Sequence, residues 1–140
     1  MKKRKLLDSF AMVAYLNREG GFSKVLDLMA EAQKAGDFVL MNEVNVGEVF
    51  YILHRKRGKE NAEYFLESVI PALPLSLVSN EFDDVIAAAR IKAEYPLSFA
   101  DCFAVATAMK KNLMIVTGDP EFKKVEHLVS VDWMQKGDRG

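Results

Sequence analysis

Residues 97–122 read LSFADCFAVATAMKKNLMIVTGDPEF, and two elements of different period meet inside them. From Ser98 to Lys111, alanine and aromatic residues recur at helical spacing, which predicts an amphipathic helix. LMIVTGD at 113–119 is a short unbroken apolar run, the pattern of a strand buried on both faces. A helix leading straight into such a strand is the repeating unit of a parallel α/β sheet. Each element also carries an acid. Asp101 lies in the first turn of the helix, and Asp119 ends the strand directly before Pro120 and a short helical turn, PEFKKV, at 120–125.

The same alternation runs outward through the chain. KLLD (5–8) predicts a strand, followed by a helix SFAMVAYLNREG (9–20) stopped at Gly20-Gly21. SKVLDLMAEAQKAG (23–36) is a second helix, with Val25, Leu28, Met29 and Ala32 on one face and Gly36 as its stop. FVLM (38–41) is a strand, NVGEVFYILHRKRG (45–58) a helix ending at Gly58, and KENAEYFLESVIPAL (59–73) another helix. LSLV (75–78) and LVSV (128–131) are the remaining strands, and NEFDDVIAAARIKAEY (80–95) is a helix closed by Pro96. No linker, repeat or low-complexity segment interrupts the pattern. The expectation is one α/β domain over residues 1–134, with a largely parallel sheet flanked by helices, and a polar C-terminal tail at 135–140.

Composition narrows the chemistry. Half of the 140 residues are apolar, enough to fold without staples. The single cysteine, Cys102, excludes an internal disulfide and a Cys-based zinc site, and in DCFAVA it reads as a buried inert thiol. His54 and His127 are the only histidines, so any metal must be held by oxygen. A net charge of −1 argues against a strongly basic coat. The cations are bunched instead, at 2–5, 54–59, 110–111 and 123–124, where the second and third bunches complement helix C-termini. No apolar run approaches the roughly 18 residues that span a bilayer. The opening MKKRKLLDSFAMVAYL has the basic start of a leader, but Asp8 interrupts it and no small-x-small site follows. We read it as folded protein and expect a cytoplasmic location.

Four acids fall at strand-to-helix junctions: Asp8 after the first strand, Glu48 near the start of the third helix, Asp101 and Asp119. In open parallel sheets, ligands bind beyond the carboxyl ends of the strands. Each acid also has a plain structural reading. Asp8 caps the next helix, Asn45-x-x-Glu48 and Ser98-x-x-Asp101 have capping-box spacing, and Asp119 precedes a proline at a helix start. Capping does not explain why Asp8 and Asp119 both follow buried strands. Four carboxylates at one sheet edge repel unless a cation joins them, and with oxygen ligands alone that cation is hard, Mg²⁺ or Mn²⁺.

LLDSFAMVAYL, NVGEVFYIL, LSFADCFAVATA and IVTGDPEF, in this order and spacing, resemble the PIN-domain nucleases, and among them the VapC toxins of prokaryotic toxin–antitoxin pairs most. The resemblance runs from residue 5 to about residue 132. It implies a three-layer PIN sandwich and an acidic quartet of Asp8, Glu48, Asp101 and Asp119, with Ser9 and Thr117 orienting the carboxylates. Glu43 is then an extra acid on the surface or rim. The implied activity is metal-dependent endonucleolytic cleavage of RNA. Asp8 and Asp101 bind the ion, Asp119 binds directly or through water, and Glu48 holds a second ion or orients the attacking water. The family also implies homodimers and an antitoxin that covers the acidic site. The helices at 23–35 and 59–70 offer Val25, Leu28, Met29, Tyr64, Phe65 and Leu66 for such contacts, unless these are simply core. Two rivals stand beside the toxin reading: a housekeeping PIN nuclease in RNA processing, and a noncatalytic interaction module whose acids are only caps.

Overall fold

In the computed structural model, which describes residues 3–135, the short apolar runs pair side by side as five parallel strands. They are β1 (Lys5–Leu7), β2 (Val39–Asn42), β3 (Leu75–Val78), β4 (Met114–Thr117) and β5 (Ser130–Trp133), in the order β3-β2-β1-β4-β5. Central β1 sets Leu6 beside Leu40 of β2 and Ile115 of β4. Successive residues of a strand face opposite ways. Leu6, Leu40 and Ile115 therefore join one core, and Leu7, Met41 and Val116 the other. Burial on both faces is why the inner strands β1, β2 and β4 read as short apolar runs, whereas edge strands β3 and β5 are only half-buried.

Helices cover each face. The first core takes side chains from α1 (Ser9–Asn17), α2 (Phe22–Ala35), α3 (Glu43–Arg57) and α4 (Lys59–Tyr64), including Met12, Val25, Met29, Val49 and Ala62. The second takes Ala88 of α6 (Phe82–Glu94), a run from Cys102 to Ala108 of α7 (Phe99–Lys111), and Phe122 and Val125 of a 3₁₀ helix, Pro120–Val125. The expected three-layer α/β architecture is the one observed, and its sheet is parallel throughout. Cys102 is a fully buried free thiol.

Several boundaries differ from expectation for local reasons. α1 stops at Asn17, before the glycines, because Arg18 takes the left-handed conformation (φ 53°) with its guanidinium over the Phe22 ring. The helix expected at 59–73 widens after α4 into one π turn, Phe65–Val69, before a last turn α5, Ile70–Ala72. Pro71 has no N–H to return to the preceding turn, which favours that looser register. The last strand lies two residues later than LVSV. α3 begins at Glu43, because Asn42 caps it by accepting from Val44 N at 2.8 Å. Of the expected tail, residues 136–140 lie outside the described part.

Of the side chains offered for docking, Val25, Met29 and Phe65 are core, and Leu28 packs against it. Tyr64 and Leu66 alone among them are exposed.

Candidate active site

Because β1 and β4 are parallel neighbours, the residues that follow them emerge at the same sheet edge. Asp8, after β1, is 1% exposed and caps α1, its Oδ1 accepting from Ala11 N at 2.8 Å. Its Oδ2 accepts from the Thr117 hydroxyl at the end of β4. That hydroxyl also accepts from Asp119 N at 3.0 Å, so one threonine joins both strand-end acids. Asp119 in turn caps the 3₁₀ helix, accepting from Glu121 N at 3.0 Å. Capping and clustering thus coincide at Asp8 and Asp119.

Asn45, fully buried, brings in the other two elements. Its Nδ2 donates to Ser9 Oγ at 3.3 Å and to the Ala100 carbonyl at 3.2 Å, while Ser9 Oγ donates to the Asn45 carbonyl. One amide therefore ties α3, which carries Glu48, to the first turns of α1 and α7. Glu48 sits in the second turn of α3, since that helix starts earlier than its capping pattern suggests. Asp101 lies three residues into α7, where Ser98 Oγ accepts from Asp101 N at 3.1 Å. Glu43, at the first position of α3, is exposed.

Glu48, Asp101, Asp119 and Ser9 line one cavity of about 920 Å³, together with Glu121 and Lys56. Asp8 is buried next to Ser9 and stays electrically in contact with the group. Burial pushes its carboxyl up to about 8, against the Thr117 and Ala11 hydrogen bonds, with Asp101 and Asp119 adding repulsion. Burial also raises Asp101 to about 6, opposed by Ser98 and reinforced by Asp119, Glu48 and Glu121. Asp101 is the common member: it repels Asp8 and is itself repelled by Asp119, Glu48 and Glu121.

Sequence reasoning did not single out Asn45, Lys56 or Glu121 as site residues. A signal for the first two was present. Asn45, Glu48, Ile52 and Lys56 recur at helical spacing and so share one face of α3. Glu121 had no such signal.

A family model described as the PIN domain matches residues 5–128. The chain belongs to the PIN-domain family. No curated protein matches the sequence. Solved structures that resemble this PIN domain include VapBC2 from Rickettsia felis bound to a promoter DNA fragment, at TM-score 0.70 and 14% identity, covering 91% of this chain and 96% of that one. DNA-bound VapBC from Salmonella typhimurium resembles it at TM-score 0.70 and 16% identity, covering 94% and 98%. Mycobacterium tuberculosis VapC20, a toxin that cleaves the sarcin–ricin loop, resembles it at TM-score 0.63 and 17% identity, covering 85% and 92%. These likenesses bear on the fold, and they agree with the family expected from the sequence.

Proposed function

We propose that this PIN domain, residues 1–134, is a divalent-metal-dependent endoribonuclease and the toxin of a toxin–antitoxin pair. The observation that carries the reading is the cluster of acids at one sheet edge: Glu48, Asp101 and Asp119 line one open cavity, and Asp8 is buried beside it. Burial, with neighbouring carboxylates, raises Asp8 and Asp101, a cation would favour their charged forms, and a phosphodiester approaches such a cavity only once its negative charge is offset.

The donors fit a hard ion, because carboxylate and hydroxyl oxygens surround the cavity and neither Cys nor His lines it. Among the described residues, no group of three Asp, Glu, His or Cys is arranged to hold an ion as it stands. Mg²⁺ is commonly held through one or two carboxylates with water completing the shell, and Mn²⁺ suits the same oxygen donors. Asp8 and Asp101 would bind it directly, Asp119 directly or through water, and Glu48 would hold a second ion or orient the attacking water. When bound, such an ion would supply a water of lowered pKa and offset charge on the phosphoryl oxygens. The chain's own groups set the geometry. Thr117 and Ala11 N fix the two oxygens of Asp8. Ser9 works through Asn45, which clamps the helices carrying Glu48 and Asp101. Lys56 and its basic neighbours at the end of α3 hold the RNA backbone farther out.

RNA as substrate is supported by the similarity to a sarcin–ricin-loop-cleaving toxin, and an antitoxin partner by the similarity to VapBC complexes. Exposed Tyr64 and Leu66 are available for a homodimer or antitoxin contact. Among the described residues no helix is long and apolar enough to cross a membrane, which accords with a cytoplasmic protein. The test is RNA cleavage in Mg²⁺ and in EDTA by wild type and Asp8→Asn, alongside coexpression with the product of the adjacent gene. Cleavage that needs both metal and Asp8, with growth arrest relieved by the neighbour, is the expected result. Cleavage without growth arrest points to an RNA-processing nuclease. Undiminished cleavage in EDTA overturns the metal assignment.

A further inference from the structure

We propose, building on the reading that this cavity cuts RNA, that Phe10 is a platform on which one unpaired nucleobase stacks beside the phosphate being cleaved. Phe10 is two residues past Asp8 in the first turn of α1. Its neighbours Ser9, Ala11 and Met12 are buried, whereas Phe10 is 42% exposed and lines the cavity with Glu48, Asp101 and Asp119. An apolar ring left open to water among carboxylates contributes nothing to their charge.

The ring is held in place. A Cβ added at Gly118 would lie 2.5 Å from Phe10 Cε1, so the ring rests on the backbone between Thr117 and Asp119. Gly118 is not among the positive-φ residues, so the glycine is explained by the ring rather than by the turn. One side of Phe10 is thus seated against the chain that carries Asp119, and the exposed remainder borders the cavity. A planar base is the part of an RNA that fits such a surface, since every base offers a π face and gains from stacking on an aromatic. Lys56, which makes no ion pair among the described residues, lines the same cavity. Eight residues beyond Glu48, it lies about 12 Å along α3, placed for a neighbouring phosphate. The platform requires a base out of its stack, which selects single-stranded or looped RNA over duplex.

The experiment is a cycle between side chain and base. An RNA that wild type cuts is compared with the same RNA made abasic at each nucleotide flanking the cut. Wild type should lose about 5- to 100-fold in kcat/KM on one abasic RNA. Phe10→Leu, which keeps an apolar group over Gly118, should show that loss already on the intact RNA and lose little more on the abasic one. Phe10→Trp should retain the wild-type pattern, and Phe82→Leu, removing a still more exposed ring outside the cavity, should leave it unchanged. Independent, multiplying losses from Phe10→Leu and the abasic site overturn the proposal, as does an unaltered Phe10→Leu. Failure of wild type to cut any RNA instead removes the nuclease reading beneath it.

Discussion

At the start of α6, Glu81 and Asp84 close a reciprocal capping box, and at the start of α7, Ser98 and Asp101 occupy the same spacing. Their surroundings are opposite. The Glu81 N–H and then Lys110, 2.9 Å away, hold the Asp84 carboxyl below its ordinary value. Asp101 is driven upward by burial and by the carboxylates of Asp119, Glu48 and Glu121. A capping pattern therefore reports where a helix begins and says nothing about what its acid faces. An acid whose charge is already answered by the protein has no use for a ligand. An acid left repelled by its neighbours does.

The sharpest way to break that contrast is to neutralise each acid in turn. Loss of groups that merely support a metal's ligands costs 10- to 100-fold, so loss of a direct ligand should cost on the order of 100-fold or more. Asp101→Asn should reduce Mg²⁺-dependent RNA cleavage by that much, measured as initial rates. Asp84→Asn should stay within about twofold of wild type, because its partner Lys110 lies outside the cavity. Comparable losses from both would mean that helix integrity, not the acid cluster, governs activity.

Two buried threonines extend the comparison with a smaller effect. Thr117 donates to Asp8 and accepts from Asp119 N. Thr107 instead accepts from Asn42 Nδ2 at 2.8 Å, in a network that also bonds Asn42 to Asn80 ahead of α6. Thr117→Val should lower cleavage about 10- to 100-fold and weaken the Mg²⁺ requirement's apparent affinity to match. Thr107→Val should leave the rate per folded molecule intact while costing about 1–3 kcal/mol, since an Asn42 N–H loses its partner. Denaturant melts and initial rates on both variants separate the two roles.

These contrasts also mark what the sequence carried. Strand-end acids were legible, because a short apolar run followed by Asp is a local pattern, and Asp8 and Asp119 stand where it places them. Parallel order followed from strands buried on both faces. The start of α3 was not legible, because Asn42 and Asn45 both fit a cap. Asn42 takes that role while bonding Asn80 and Thr107, which are distant in sequence, and Asn45 is drawn inward to Ser9 and Ala100. The split among Val25, Met29, Phe65, Tyr64 and Leu66 was illegible for a similar reason. Helical spacing puts side chains on a face without saying whether another element covers it.

The mildest test uses pH and needs no substrate. A carboxyl whose folded pKa is raised binds its proton more tightly in the native state than in the unfolded chain. The stability this contributes is fully present below the unfolded value of 3.8 and is lost as pH rises through the folded value. For Asp101 that loss runs to about pH 6, and for Asp8 to about pH 8. Asp84 has the opposite sign: its contribution is present above 3.8 and lost as pH falls through its lowered value. Metal-free protein should therefore melt progressively lower as pH is raised from 4 to 8. Asp101→Asn should flatten the part of that decline below about pH 6. It should also raise the melting temperature at pH 8 by about 4 °C for each kcal/mol of repulsion removed. The Ser98 cap survives the substitution, because it uses the backbone N–H of residue 101. Asp84→Asn should melt lower at pH 8, having lost Lys110. Melts in EDTA across this range decide the matter: if Asp101→Asn also melts below wild type at pH 8, Asp101 stabilises its helix as Asp84 does, and the two N-termini are alike after all.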